Sequence, residues 1–290
     1  MNKLLLAAAL CAITTAAPAP VHGGQATESG DAAPLRLVAC APGYPSNTEQ
    51  AQPTMNDFAA IIAAAAGWPQ GALTAEYHPT EEAGINHLRD DATSLALVPL
   101  PLYLKYEQQL ELTAVAQAVQ ASGSATERWS LVVPTGSIDG PQSLSGWELL
   151  GLPAYAPRFV RGPALSSWGR LPASLSVRFT RRVLDGVRRV AAGEKVAVLL
   201  NGPQTAALAS FPGADSLEVV ATSPPLLAWL VVIVGDRVGE PARQQLIDGL
   251  LGINASANVA DVLETMQLRG FELLDAGALA VARAAYSAAQ

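Results

Sequence analysis

Short apolar runs alternate with segments of helical periodicity along most of this chain. Between Thr54 and Gly67, apolar residues recur three and four positions apart, which predicts an amphipathic helix. Between Arg182 and Ala192, a second predicted helix has valines on one face and arginines on the other. Such alternation is typical of crossover units and predicts an α/β fold with largely parallel sheets. The apolar runs predict strands at residues 35–39, 73–77, 95–98, 112–119, 149–152, 174–179, 196–200, 217–220 and 226–234.

The most apolar of these runs is Leu226–Val234, with the sequence LLAWLVVIV. It follows two prolines and is too short to span a bilayer. We therefore expect a central strand that is buried on both faces. Two further helices are predicted after it, at residues 242–251 and 259–268.

The first residues have the pattern of an export signal. Lys3 precedes a short apolar run, Leu4–Ile13, and small residues follow through Ala19. The run is too short to cross a membrane, so we predict a signal peptide over residues 1–23 and a flexible leader over residues 24–33. The remainder of the chain is then expected in the periplasm.

Charge is distributed unevenly along the chain. Residues 33–129 contain 4 basic and 10 acidic side chains, residues 130–222 contain 9 and 6, and residues 223–290 contain 4 and 7. The middle segment differs in sign from its two flanks, which indicates two separate bodies. The formal net charge of −7 argues against a nucleic-acid partner.

The chain is poor in residues that carry catalysis. His78 and His87 are nine positions apart and fit no zinc-binding pattern, so no metal site is expected. The sequence contains no nucleophile elbow, no phosphate loop and no dinucleotide-binding glycine motif. We therefore predict a protein that is not an enzyme and needs no cofactor.

The order of several segments resembles the type 2 periplasmic solute-binding proteins, in particular the phosphate- and phosphonate-binding (PhnD-like) family. The resemblance extends from Leu35 to Phe271 and rests on the Phe58 helix, which ends in Ala-Gly-Trp, and on six further pieces. These are LRLVACAPGYP, GINHLRDDATSLALV, RWSLVVPTGSIDGPQSLSGWELLGLP, VAVLLNGPQ, TSPP and LRGFELLD.

This resemblance implies a two-lobed periplasmic binding protein type 2 fold. Each lobe would be a mainly parallel sheet flanked by helices, and two hinge crossings would join the lobes. Lobe 1 would comprise residues 34–128 plus 225–290, and lobe 2 would comprise residues 129–224. A small molecule would lie between the lobes and be enclosed by hinge closure. The protein would act as a monomer that delivers this ligand to a transport component of the inner or outer membrane.

The segment that holds the anion in oxyanion receptors of this family is different here. Their Ser/Thr-rich turn is replaced by AYAPRFVRGPALSSWGRLP, in which Pro157 and Pro163 remove backbone donors. The exit of the third strand, VPLPLYL, is nearly all apolar. A buried phosphonate would be poorly compensated there. The pattern instead resembles the divergent branch of the family that carries sterols, which implies a largely apolar, sterol-like or other amphipathic lipid ligand.

Five residues are candidates for the ligand site. Glu127 and Trp129 lie two positions apart at the first crossing and therefore face the same side. Asn201 ends the strand VAVLLN, and Tyr44 and Tyr103 follow the first and third strands as candidate aromatic walls. Purely structural roles are open for three of them: a solvent-exposed rim carboxylate for Glu127, hinge packing for Trp129 and turn formation for Asn201.

Two alternative functions also remain open. An oxyanion (phosphate or phosphonate) receptor of an ABC importer is favoured by the arginines of lobe 2, notably Arg158 and Arg161. The other alternative is a sensory or scaffold module that uses an inherited cleft to bind a partner protein. The absence of a fused signalling domain in this sequence argues mildly against the second alternative.

Overall fold

The computed structural model describes residues 34–256 and 259–289. The predicted signal peptide and leader, residues 1–33, lie outside these ranges. Within the described ranges, none of the helices combines the length and apolar character that a membrane crossing requires.

The described chain alternates between strands and helices, as its hydrophobic pattern predicts. The strands are β1 (Leu35–Cys40), β2 (Leu73–His78), β3 (Thr93–Pro99), β4 (Leu112–Gln120), β5 (Thr126–Glu127), β6 (Ser130–Pro134), β7 (Glu148–Gly151), β8 (Ser176–Phe179), β9 (Val196–Leu200), β10 (Leu217–Thr222), β11 (Leu226–Leu227), β12 (Trp229–Val234) and β13 (Leu268–Leu273). The helices are α1 (Thr48–Ala65), α2 (Glu81–Arg89), α3 (Leu100–Tyr106), α4 (Pro157–Phe159), α5 (Val183–Ala191), α6 (Gly202–Ala207), α7 (Glu240–Leu251), α8 (Val259–Thr265) and α9 (Ala276–Ala288).

The larger sheet has six strands in the order β13-β4-β12-β3-β1-β2. β1 pairs in parallel with β2 and β3, whereas β12 runs antiparallel to both β3 and β4. β12 is central, and all of its residues except Trp229 are buried. The central, buried strand predicted within residues 226–234 is therefore confirmed, although the structure divides the run into β11 and β12.

The smaller sheet has five strands in the order β10-β6-β9-β7-β8, all from residues 130–222. β7 is parallel to β8 and β9, whereas β6 is antiparallel to β9 and β10. The predicted α/β class is confirmed. Most strands of each sheet run in one direction, and β6, β12 and β13 run against their neighbours. β6 and β12 are the strands that follow the two crossings.

Two crossings between the sheets lie side by side at the small β5–β11 ladder, where Glu127 pairs with Leu226. The buried Ser223 joins them further. Its backbone N–H donates to the Trp129 carbonyl at 2.8 Å, and its Oγ accepts from the Trp129 N–H at 2.9 Å. These bonds fix the two crossings against each other, as a hinge between two sheets requires.

The apolar core is shared between the two halves on one side and separate on the other. One buried cluster combines Val98 and Leu230 of the larger sheet with Leu131 and Leu149 of the smaller sheet. A second cluster lies under α1 and α7 in the larger half, and a third lies under α5 in the smaller half. The two sheets are thus joined by packing as well as by chain crossings.

Candidate functional site

A cleft of about 1000 Å³ lies between the two halves. One wall is formed by the carboxyl ends of β1, β2 and β3 together with α1 and the start of β12. The opposite wall is formed by α5, α6 and the end of β9. The lining is rich in apolar side chains, among them Ala41, Met55, Leu97, Leu152, Val187 and Phe211.

Tyr44 lines the cleft on the loop that follows β1. Its ring meets Trp229 edge to face, with centroids 5.0 Å apart and planes 64° apart, which holds both rings in place. Burial raises the pKa of the Tyr44 phenol well above its usual value, nearby Glu127 adds to the rise, and the Asn201 side chain opposes it. The hydroxyl therefore stays protonated at neutral pH and can donate a hydrogen bond.

Asn201 lines the cleft at the point where β9 ends and α6 begins. Its Oδ1 accepts from the Gln204 backbone N–H at 3.1 Å, and Gln204 Oε1 accepts from the Asn201 N–H at 3.1 Å. This reciprocal pair is a capping box that begins the helix. The Asn201 side chain also faces the Tyr44 hydroxyl, whose pKa it lowers as a hydrogen-bonding partner.

Glu127 is buried beside Tyr44 at the hinge, with 7% of its surface exposed. Burial raises the pKa of its carboxyl from 4.5 to about 8. The Trp129 indole N–H opposes this rise, although its geometry falls short of a hydrogen bond. At neutral pH the carboxyl is therefore mostly protonated and can donate as well as accept a hydrogen bond.

Two buried donors in this region have no hydrogen-bond partner among the described residues. They are the indole Nε1 of Trp129 and the hydroxyl of Tyr155. Burial raises the pKa of Tyr155, and among the nearby groups that add to the rise are Tyr44 and Glu127. An unpaired buried donor costs about 1–3 kcal/mol, so an acceptor atom brought by a ligand would be bound favourably.

Four of the five predicted site residues therefore lie together, and the fifth does not. The four form, with Tyr155, a group that we call the polar cluster: Tyr44, Glu127, Trp129, Tyr155 and Asn201. Of this group, Tyr44 and Asn201 line the cleft, and Glu127, Trp129 and Tyr155 lie next to them without lining it. Tyr103 is buried on α3 and does not line the cleft either. Its hydroxyl donates to Glu107 Oε1 at 2.9 Å and accepts from Arg283 Nη2 at 2.6 Å.

The arginines named for the oxyanion alternative point elsewhere. Arg158 donates from Nε to the Ala289 carbonyl at 3.0 Å, and its guanidinium stacks over the Tyr286 ring. Arg161 donates to two backbone carbonyls in the segment 172–175, at 3.0 and 2.9 Å. The cleft does contain Arg181, which is exposed, and Arg182, which pairs with Asp185 at 3.4 Å.

Two helices that begin at the cleft, α1 and α6, offer few free backbone donors, whereas α5 begins there without a side-chain cap. Asn47 caps α1 by accepting from the Gln50 N–H at 2.8 Å. In α6, Asn201 occupies the Gln204 N–H, and Pro203 has no N–H. The donors with which a helix N-terminus binds an anion are thus partly used internally or missing.

Two residues of the site were not identified from the sequence. Tyr155 follows β7 in the segment AYAP, at the same kind of strand exit that identified Tyr44. The prolines on either side of Tyr155 obscure this signal in the sequence. Trp229 lies within the most apolar run of the chain, where nothing distinguishes a cleft residue from a core residue.

The fold is similar to several solved binding-protein structures. XAC2383 from Xanthomonas citri, bound to ATP, matches with a TM-score of 0.66 at 15% identity, covering 88% of this chain and 98% of that chain. PhnD1 from Prochlorococcus marinus, in complex with methylphosphonate, matches with a TM-score of 0.57 at 14% identity, covering 85% and 94%. A binding protein component of an ABC phosphonate transporter from Pseudomonas aeruginosa matches with a TM-score of 0.54 at 16% identity, covering 86% and 84%.

These matches confirm the two-lobed periplasmic binding protein type 2 fold that the sequence resemblance implies. At the level of sequence, no protein-family model matches the chain, and no curated protein matches it.

Proposed function

We propose that this protein is a periplasmic carrier that captures a largely apolar molecule with one uncharged polar end, of the sterol type, and delivers it to a membrane component. The observation that supports this proposal is a mostly apolar cleft in which Tyr44 and Asn201 of the polar cluster are exposed to the ligand space. The apolar body of the ligand would lie along the cleft walls, and its polar end would meet Asn201 and Tyr44 first. Next to them lie the Trp129 indole N–H and the Tyr155 hydroxyl, which have no hydrogen-bond partner among the described residues, and the protonated carboxyl of Glu127.

The size and lining of the cleft favour a ligand with a large apolar surface. Its volume, about 1000 Å³, is at the upper end of the range for small-molecule sites. Each Å² of apolar surface removed from water contributes about 25 cal/mol, so a large rigid hydrocarbon can bind tightly without a charged contact.

The charge state of the polar cluster favours a neutral end group. Since Glu127 has a raised pKa of about 8, it is mostly uncharged at neutral pH. A hydroxyl group can accept from its carboxyl or from Asn201 Nδ2 and can donate in return. A cationic ligand would bind Glu127 only at the cost of removing its proton.

An oxyanion ligand is the rival, and the structure of PhnD1 in complex with methylphosphonate suggests which oxyanion to test. Two observations argue against an oxyanion ligand. The starts of α1 and α6 are capped by side chains, and Arg158 and Arg161 donate their hydrogen bonds to backbone carbonyls. Arg181, exposed at the cleft, is the observation in its favour.

Native mass spectrometry of the purified protein, followed by solvent extraction, tests the proposal directly. We expect a co-purifying lipid, or saturable binding of added sterol to the delipidated protein. In a melting experiment, sterol should raise Tm, because a ligand that binds only the folded state stabilises it. A rise in Tm with methylphosphonate or phosphate, and none with sterol, would establish the rival instead.

A matched pair of tyrosine variants then tests the location of the site. Tyr155→Phe removes an unpaired hydroxyl of the polar cluster and should weaken sterol binding while leaving the fold intact. Tyr103→Phe removes a hydroxyl outside the cleft and should leave sterol affinity unchanged, although it breaks bonds to Glu107 and Arg283. Equal affinities of wild type and Tyr155→Phe would exclude Tyr155 from the ligand site.

A further inference from the structure

Three potential metal ligands meet on the side of the larger sheet that faces α2. Glu76 and His78 lie two apart on β2 and therefore share a face, and His87 comes from α2. Tyr77, between the first two, lines the cleft on the opposite face. One ligand atom from each of the three lies within 4.8 Å of the other two.

The distances within this group fit a shared ion better than ordinary hydrogen bonds. His78 Nε2 is 3.3 Å from Glu76 Oε2, and His87 Nδ1 is 3.4 Å from the same oxygen. Hydrogen bonds between charged partners of this kind are typically about 2.7–2.9 Å long. Two ligand atoms at about 2.0–2.1 Å from one tetrahedral zinc ion are instead separated by about 3.3–3.4 Å.

The surroundings leave the shared oxygen free for such an ion. Arg36 Nε lies 3.9 Å from the other carboxylate oxygen of Glu76, Oε1. Its Nη1 donates a hydrogen bond to Asp90 Oδ2 at 3.0 Å. The two imidazole rings stack with centroids 4.0 Å apart and planes 20° apart. In this arrangement His78 Nε2 and His87 Nδ1 both face the same oxygen of Glu76.

We propose that Glu76, His78 and His87 bind a divalent zinc ion that ties the edge strand β2 to α2. The set of two histidines and one carboxylate leaves a fourth position for water. His87, whose side chain is 40% exposed, turns about its Cβ–Cγ bond so that its nitrogen and that of His78 converge on the ion. The spacing of nine residues between the histidines conceals the site in the sequence, because the third ligand and the approach of α2 to β2 appear only in the fold.

Titration of the metal-free, tag-free protein with zinc chloride against a chromophoric chelator tests this proposal. We expect one zinc ion per chain, a rise in Tm with zinc, and intense visible absorption when cobalt(II) replaces zinc in a tetrahedral site. His87→Ala and Glu76→Gln should each weaken zinc binding by about tenfold or more. Both side chains are partly exposed, so the variants are expected to fold.

A matched control separates this site from unspecific binding. Glu82→Gln neutralises an exposed carboxylate of α2 outside the group. It should change neither zinc affinity nor stoichiometry. Zinc affinity in His87→Ala and Glu76→Gln equal to that of wild type, or no saturable binding by wild type, would overturn the proposal.

Discussion

The carboxyl group of Glu127 connects the chemistry of the cleft to the stability of the protein. Burial raises its pKa from 4.5 to about 8, so the folded protein keeps a proton that the unfolded chain releases. The contribution of this group to stability is therefore complete at pH values below 4.5 and is lost as pH rises through about 8. The free energy of unfolding should fall across this window by up to about 1.4 kcal/mol per pH unit.

The substitution Glu127→Gln isolates that contribution, because glutamine cannot titrate. Urea unfolding of wild type and variant at several pH values should show that wild type loses stability relative to the variant as pH rises, with no further loss well above pH 8. Parallel stability curves would mean that the carboxyl is already ionised in the folded protein. The proposed role of Glu127 as a neutral donor would then be wrong.

Asn201 has two separable roles, one in the helix cap and one in the cleft. Asn201→Ala removes both and should lower stability by about 0.5–2 kcal/mol, because the Gln204 N–H loses its acceptor. Asn201→Ser restores a capping oxygen but not the Nδ2 donor. We expect serine to recover the stability measured by urea unfolding, while sterol affinity stays as weak as in the alanine variant. Recovery of affinity by serine would show that the amide donor plays no part in binding.

At the scale of single elements, α2 packs so closely on β1 that only glycine fits at one position. A Cβ atom at Gly84 would lie 2.0 Å from Cys40 Sγ and 2.7 Å from Cys40 Cβ. Gly84→Ala should therefore destabilise the protein by about 1–3 kcal/mol, although alanine is the better helix former by about 1 kcal/mol. Gly202→Ala, at the start of α6 with no atom near its Cβ position, is the control and should be close to neutral. Equal thermal stability of the two variants would contradict this account of the packing.

The elements that the hydrophobic pattern missed have different causes. α1 was expected to begin at Thr54, but it begins six residues earlier, because Asn47 caps a first turn that Pro53 does not interrupt. α9 is alanine-rich and buries only Leu279 and Ala282, so its apolar face hardly differs from the rest of its surface. β13 does bury Leu268 and Phe271, but Gly270 between them breaks the alternation that predicts a strand.

The local pattern also limits what can be predicted of the candidate site. Residues at strand exits and at the hinge were predictable, because chain position alone determines that they meet near the cleft; Tyr44, Glu127, Trp129 and Asn201 are of this kind. Tyr103 also follows a strand, but the next residues form α3 and bury it against Glu107 and Arg283. The path of the chain after a strand depends on tertiary packing, which the local pattern does not contain.

At the scale of the whole molecule, α9 joins the two halves. Arg283 on α9 bonds to Tyr103 and pairs with Glu107 in the larger half. At the other end of the helix, Arg158 of the smaller half donates to the Ala289 carbonyl, and Gly162 allows close approach to the Ala285 backbone. Together with the buried cluster that spans both sheets, these contacts couple the stability of one half to that of the other.

Differential scanning calorimetry tests this coupling. If the halves unfold together, the apo protein should show one transition with equal calorimetric and van't Hoff enthalpies. Val187→Ala, in the core cluster that lies only in the smaller half, should lower the Tm of the entire transition without splitting it, because the larger half loses its support at the same time. Leu184→Ala, on the same helix but 52% exposed, is the matched control and should change Tm little. Two resolved transitions, with only one displaced by Val187→Ala, would show that each half is stable alone and that the shared packing adds little to the hinge.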